Sequence, residues 1–204
     1  MIKRILLLSG TPGTGKTSVA KYLKETYDLS FLSLSTIVQE ENLYDKVDEE
    51  RDTKIVNADK LEKYIDPILQ ERQGDICIEA HYADMIEKPQ VEMGIILRCH
   101  PVILENRLKK RDYKQRKVDE NIQAELVSSP TSYMLENAQL EKTKEIYEID
   151  TSRKTVEEVG EIIATLFCKG EDKKSLRKKY KKKFSFGKIS WLSDKSVPSK
   201  FFKF

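Results

Sequence analysis

The chain has 204 residues, of which 39% are hydrophobic and 35% are charged, a composition typical of one globular domain of ordinary size. No run approaches the roughly 18 apolar residues that a membrane span needs, and the apolar run near the start is too short for a signal peptide. The three cysteines form no CxxC pair. We therefore expect reduced thiols, no membrane partner, and a cytoplasmic location, or a nuclear one in a eukaryote.

The net charge of +3 is unevenly distributed along the chain. Residues 169–204, called the basic tail below, contain 13 Lys and Arg against three acids and carry +10, so that residues 1–168 carry −7. This asymmetry predicts two parts that meet different partners: a body over 1–168 and a basic, aromatic tail over 169–204.

Strand-like and helix-like patterns alternate along the body. Five apolar runs are typical of buried strands: 4–9, 30–35, 75–80, 93–98 and 146–150. Helical patterns separate them at about 16–26, 59–72, 101–110 and 115–144, with a break expected at Pro130, and a last helix follows a capping box formed by Thr155 and Glu158. The alternation predicts an α/β fold with a five-stranded parallel sheet covered by helices on both faces. Ligands of such folds bind at the carboxyl ends of the strands.

The segment GTPGTGKT, Gly10 to Thr17, follows the first predicted strand and opens the first helix. It fits the pattern G-x-x-x-x-G-K-[ST], a P-loop. Its glycines permit a tight turn that brings backbone N–H groups to phosphate oxygens, while the positive end of the helix dipole faces the anion. We expect Lys16 to reach the β- and γ-phosphates and Thr17 to ligate Mg²⁺. The alternative is a glycine-rich turn without a ligand.

The segment ICIEAHYAD, Ile76 to Asp84, places two polar residues at the end of a buried strand. Glu79 is the best candidate for the carboxylate that Mg²⁺ needs beside Thr17, and the alternative is a surface acid. A neutral His81 is a candidate for orienting an attacking water or positioning a phosphate, and its unperturbed pKa near 6.5 suits proton transfer. A structural histidine bonded to a loop carbonyl is the competing interpretation.

The segment NRLKKRDYKQRK, 106–117, offers cations for a transferring phosphate. Arg107 and Arg111 are four residues apart, so they share one helix face and are candidates to converge on phosphates. A solvated basic face is the alternative for each. The sequence contains no N-K-x-D motif, which argues against a GTPase.

Together these motifs resemble the adenylate kinase isoenzyme 6 family, also known as coilin-interacting nuclear ATPases. The resemblance covers about residues 3–168. It is carried by five segments: GTPGTGKT, EENLYDKVDEERD (40–52), EAHYAD (79–84), RLKKRDY (107–113) and ENIQAE (120–125).

The resemblance implies a nucleoside monophosphate (NMP) kinase fold with an NMP-binding segment at about 33–56 and a short lid at about 110–120. The turn 151–154 matches the region that holds adenine. The implied activity is Mg²⁺-dependent transfer of phosphate from ATP to AMP, together with ATP hydrolysis. The implied partner is a small-subunit ribosomal protein, bound during maturation of that subunit. The implied ATP contacts are Gly13, Thr14, Gly15, Lys16, Thr17, Ser18 and, from the lid, Arg111.

Three positions depart from the family pattern. Glu79 stands where the family has aspartate, Tyr82 follows the histidine where glycine is usual, and Gln39 lines up with an arginine. The loss of a cation at Gln39 should weaken binding of the AMP phosphate, which favours ATP hydrolysis by an assembly factor as the alternative function. Another small-molecule P-loop kinase is a further alternative.

The basic tail mixes lysines with six aromatic residues between 180 and 202. One interpretation is binding of rRNA, with lysines on phosphates and aromatic rings stacked on bases. A second is docking on the body through a Gly-x-x-x-Trp segment, a resemblance to the tails of archaeal relatives. The third is a solvated extension.

Overall fold

The computed structural model describes residues 4–48, 53–81, 91–141, 145–168, 170 and 172–202. The described strands are β1 (Ile5–Gly10), β2 (Ser30–Ser33), β3 (Tyr44–Asp48), β4 (Thr53–Val56), β5 (Ile76–Glu79), β6 (Val91–Arg98) and β7 (Glu145–Asp150). The described helices are α1 (Lys16–Tyr27), α2 (Leu34–Glu40), α3 (Ala58–Glu71), α4 (Pro101–Lys109), α5 (Gln115–Leu126), α6 (Ser129–Glu141), α7 (Val156–Phe167), α8 (Lys174–Phe184) and a short 3-10 helix (Ser199–Phe201).

Five strands form the predicted parallel sheet, in the order β2-β5-β1-β6-β7. All six residues of β1 are buried, because this strand is central and both of its faces are covered. Successive residues point to opposite faces. Leu6 and Leu8 pack with α1 and α7, whereas Leu7 packs with α2, α3 and α6. The fold is therefore a P-loop α/β fold with helices on both faces of the sheet.

The parallel arrangement brings polar strand ends together. β1 ends at Gly10 and its neighbour β5 ends at Glu79, with Leu8 in register with Glu79. Both strands lead into loops at the same edge of the sheet, where ligands of such folds bind.

Several boundaries differ from those expected. The second strand ends at Ser33, whose hydroxyl caps α2 by accepting a bond from the Thr36 N–H. The antiparallel hairpin β3-β4 was not predicted. The break in the polar helical region falls at 127–128, where Ser128 has a φ of 59°, and not at Pro130, which lies in the first turn of α6 and so needs no partner for its nitrogen.

The described part of the tail, 172–202, packs on the body. Arg177 of α8 donates to the carbonyls of Thr165 (2.9 Å) and Cys168 (2.6 Å), which closes the end of α7. Phe184 is buried against α7 and β7. Downstream, Trp191 and Phe201 are buried with α4 and α5. Of the three interpretations of the tail, docking on the body is the one that agrees with the structure of residues 172–202.

Aromatic stacking on RNA bases does not match this packing. Trp191, Phe184 and Phe201 are 4–7% exposed, and Phe186 is the aromatic residue of the described tail with a largely exposed ring, at 49%. Within the described ranges, no helix has the length and apolarity to cross a membrane.

Candidate active site

The loop between β1 and α1 has the backbone conformation of a phosphate cradle. Gly13 and Gly15 have φ of 91° and 100°, values that glycine adopts without strain. A Cβ on Gly13 would lie 2.9 Å from Leu104 Cδ1, whereas Gly15 has open space before it. Gly15 caps α1 without any side-chain bond to the first-turn N–H groups. These donors and the helix dipole are therefore directed at a site for an anion.

The side chain of Lys16 is 4% exposed and forms hydrogen bonds with the backbone of the P-loop. Its Nζ donates to the carbonyl oxygens of Gly10 (2.7 Å) and Thr11 (3.3 Å). Burial lowers the pKa of Lys16 to about 8, an effect that the carboxylate of Glu79 partly offsets and the charge of Arg111 reinforces. A phosphate would therefore add an anionic partner to an ammonium whose hydrogen bonds, among the residues that the structure describes, go to these two carbonyl oxygens.

Thr17 and Glu79 form the expected pair. The Thr17 hydroxyl lies 3.1 Å from both carboxylate oxygens of Glu79. Glu79 is 4% exposed, so the alternative of a surface acid is wrong. Thr17 and Ser18 are exposed in the first turn of α1, while Thr14 is buried and its hydroxyl donates to the Thr11 carbonyl (2.8 Å). A hydroxyl beside a carboxylate, next to an anion cradle, is a donor set that fits Mg²⁺.

His81 lies beside the P-loop. Its ring makes a hydrogen bond to the backbone of Gly10, and its carbonyl accepts a bond from Ser9 Oγ (3.3 Å). Burial, with the charge of Lys16, lowers its pKa to about 3. The imidazole is therefore neutral at physiological pH, as the interpretation of a neutral His81 that orients water or a phosphate requires. Its Nδ1 is buried without a hydrogen-bond partner in the described structure, and buried polar atoms of this kind are rare. Tyr82 lies outside the described residues.

The two candidate arginines do not act as one group. Arg107 donates to the Thr151 carbonyl (2.8 Å), the Thr151 hydroxyl (3.1 Å) and the Gly13 carbonyl (3.4 Å). It thereby ties the P-loop to the turn after β7 and is not a solvated face residue. Arg111 lies just beyond α4, exposed, and its charge lowers the pKa of Lys16. Of the two, Arg111 is the exposed cation whose charge acts on the P-loop lysine.

A cavity of about 470 Å³ opens beside Gly10, Thr11 and His81. One wall comes from residues between 34 and 39 together with Lys54, Val56 and Leu61, most of which belong to the expected NMP-binding segment. A second wall comes from residues between 113 and 133, some of which belong to the end of the expected lid. Two lysines, Lys54 and Lys117, lie in these walls, and neither was predicted from the sequence. The lining also includes Leu34, Ser35, Val38, Gln39, Val56, Leu61, Tyr113, Glu120, Asn121, Ser129 and Tyr133.

Comparison with known proteins identifies relatives of this chain. Residues 6–128 match the family described as AAA domain. A protein of Methanocaldococcus jannaschii is 36% identical over 169 residues, covering 82% of this chain and 89% of the relative. One of Methanococcus maripaludis is 32% identical over 196 residues, covering 93% and 96%. Both carry the name "Putative adenylate kinase".

Solved structures agree on the fold. Shikimate kinase from Bacteroides thetaiotaomicron has a TM-score of 0.51 at 16% identity, covering 80% of this chain and 97% of that one. A sugar kinase from a Janibacter species has a TM-score of 0.51 at 18% identity, covering 80% and 93%. The family match and the two archaeal relatives establish that the chain belongs to the AAA-domain family and to the family of those archaeal relatives.

Proposed function

We propose that this protein is a nucleotide kinase that transfers the γ-phosphate of ATP to AMP with Mg²⁺, giving two molecules of ADP. The observation that carries the proposal is that the start of the P-loop, at Gly10 and Thr11, lines the 470 Å³ cavity. A donor site and a separate acceptor site thus adjoin, as direct transfer requires. The names of the archaeal relatives support the same activity.

The donor site is assigned to the P-loop. Gly13, Thr14 and Gly15 would present backbone groups to the phosphates of ATP, and Ser18 adds an exposed hydroxyl in the first turn of α1. Lys16 would exchange its two carbonyl partners for phosphate oxygens, which stabilise its ammonium more strongly. Arg111, exposed and near Lys16, would neutralise charge on the transferring group.

Thr17 and Glu79 are assigned to the metal. When bound, Mg²⁺ would draw charge from the β- and γ-phosphate oxygens. The extra methylene of Glu79, compared with aspartate, brings its carboxylate to hydrogen-bonding distance of the Thr17 hydroxyl. The contact fixes the two residues relative to each other, which lowers the cost of ordering them around a metal.

The acceptor site is assigned to the cavity. Lys54 of β4 and Lys117 of α5 both line it, and Lys54 Nζ lies 4.2 Å from the ring centroid of Tyr44. These two lysines would bind the AMP phosphate and replace the cation that Gln39 does not supply. The apolar side chains Leu34, Val38 and Leu61 would contact the nucleoside.

Product analysis tests the kinase assignment. With Mg²⁺ and ATP, formation of ADP should depend on added AMP and should vanish in Lys16→Ala. Formation of ADP that is unaffected by AMP would refute the assignment.

His81 favours a second candidate, ATP hydrolysis. Because its other ring nitrogen bonds the Gly10 backbone, Nδ1 is left with a lone pair that accepts hydrogen bonds. A fully ionised phosphate offers no proton to this atom, whereas a water molecule does. His81 would thus orient an attacking water, without acting as a strong base, in an ATPase related to adenylate kinase isoenzyme 6.

The exposed face of α8 supports an assembly role for such an ATPase. Lys178, Lys179, Lys182 and Lys183 are exposed on it, and Lys188 follows. Like charges spaced three or four residues apart destabilise a helix, and a polyanion would relieve that repulsion. We assign this face to rRNA phosphates, beside a small-subunit ribosomal protein as the partner. In the product analysis, release of free phosphate from ATP at a rate that does not depend on AMP is the outcome that favours this candidate.

A further inference from the structure

A buried ionic cluster joins the tail to the P-loop. It consists of Arg98 at the end of β6, Glu125 of α5 and Glu148 of β7, whose side chains are 0–2% exposed. The guanidinium donates to Glu125 Oε1 (2.7 Å) and to Glu148 Oε1 (2.7 Å). One cation faces two carboxylates, so the ionised cluster has an excess of negative charge and needs further donors.

The tail supplies two of these donors. The Gly187 N–H donates to Glu148 Oε2 (2.8 Å), and Trp191 Nε1 donates to Glu125 Oε1 (2.9 Å). The two residues of the Gly-x-x-x-Trp segment therefore each stabilise one carboxylate of the cluster. Trp191 is 7% exposed and its ring lies edge-on to His100, with centroids 5.3 Å apart. Trp191 therefore docks through one specific hydrogen bond, to Glu125, that is surrounded by apolar packing.

The second oxygen of Glu125 reaches the P-loop. Thr11 Oγ1 donates to Glu125 Oε2 (2.6 Å), and the Thr11 carbonyl accepts bonds from Lys16 Nζ (3.3 Å) and the Thr14 N–H (3.2 Å). A single carboxylate therefore links the indole of the tail to the residue that holds the P-loop lysine.

We propose that Trp191 is a positioning residue for the P-loop. Acting through Glu125, it fixes Thr11, so that docking of the tail and binding of ATP stabilise each other. The coupling is reciprocal, as thermodynamic linkage requires. The proposal rests on the proposed function only in that the P-loop binds ATP, and it gives the tail a role in nucleotide affinity that is independent of any partner.

Calorimetry with a non-hydrolysable ATP analogue and Mg²⁺ tests the coupling on the full chain. Trp191→Phe keeps an aromatic ring but removes the donor, so the dissociation constant for the analogue should rise about three- to tenfold, while that for AMP stays unchanged. Lys200→Met is the matched control, because it breaks another contact between tail and body, with Glu105 (2.8 Å), and leaves the cluster intact. Its affinity for the analogue should equal that of the wild type.

Fluorescence provides a second measurement that needs no variant. Trp191 is the one tryptophan of the chain, so its emission should change with the analogue and not with AMP, and the change should be half-maximal at the calorimetric dissociation constant. Wild-type affinity in Trp191→Phe, an equal loss in Lys200→Met, or emission indifferent to the analogue would overturn the coupling. A wild-type chain that binds no analogue would instead refute the P-loop assignment itself.

Discussion

The Thr17 hydroxyl lies 3.1 Å from each carboxylate oxygen of Glu79, so two residues that are 62 positions apart in the chain form one donor set. The parallel pairing of β1 with β5 produces this contact, because it places the end of β5 beside the start of α1.

Replacement of Glu79 tests the metal assignment. Glu79→Gln keeps the shape but removes the charge, so kcat with Mg²⁺ should fall about 10- to 100-fold. Glu79→Asp keeps the charge and should retain more activity than Glu79→Gln. Steady-state kinetics over a Mg²⁺ titration measures both. Equal activity of the two variants at every Mg²⁺ concentration would exclude a metal role for this carboxylate.

Binding of ATP should be coupled to proton uptake at alkaline pH. The pKa of Lys16 is lowered to about 8 in the free protein, and phosphate charge would raise it by favouring the ammonium. The complex then binds more protons than the free protein above pH 8, so affinity should fall as pH rises.

Calorimetry in buffers of different ionisation enthalpy measures this uptake. It should approach one proton at about pH 9 and be close to zero at about pH 6.5. Lys46→Met, which removes an exposed lysine of β3 outside the cavity, should leave the uptake unchanged. Binding heats that are independent of the buffer at pH 9 would contradict the assignment of Lys16 to the phosphates.

The acceptor assignment predicts a selective effect on AMP. Lys54→Met and Lys117→Met each remove a cation from the cavity, so the KM for AMP should rise about 10- to 100-fold while the KM for ATP stays the same. Lys46→Met is again the control. Gln39→Arg should lower the KM for AMP. A parallel rise of both Michaelis constants would mean that these lysines do not distinguish the acceptor from the donor.

The lysine face of α8 predicts salt-dependent binding of RNA. Changing Lys178, Lys179, Lys182 and Lys183 together to glutamine should weaken binding and reduce the slope of log affinity against log salt by about 0.7 for each lost phosphate contact. Phosphoryl transfer should be unchanged, since this face lies outside the cavity. A slope of log affinity against log salt identical to that of the wild type would contradict the assignment of RNA phosphates to α8.

The sequence predicts the elements whose physics is local. The P-loop could be predicted because its glycines, its lysine and the helix that follows are contiguous in the sequence. The sheet could be predicted because its buried strands are continuous apolar runs. The β3-β4 hairpin was missed because its strands, YDKVD and TKIV, are short and largely polar. The helix α8 was missed because its stability depends on tertiary contacts of Arg177 and Phe184.

The residues that could not be predicted depend on distant neighbours. The pKa of His81 is set by burial beside Lys16, which no local pattern encodes. Glu125 accepts bonds from Thr11, 114 positions away, and from Trp191, 66 positions away. Its one sequence signal was the charged residue Arg98 at the end of an otherwise apolar strand, since a buried charge requires a partner.

The fate of the γ-phosphate tests the central claim most directly. The protein is incubated with Mg²⁺, AMP and ATP labelled with ³²P in the γ-phosphate, and the labelled products are separated. Transfer to AMP predicts that label appears in the β-phosphate of ADP. In Lys16→Ala no labelled ADP should form. Label that appears as free phosphate, with none in ADP, would contradict the kinase assignment and leave hydrolysis as the reaction of this site.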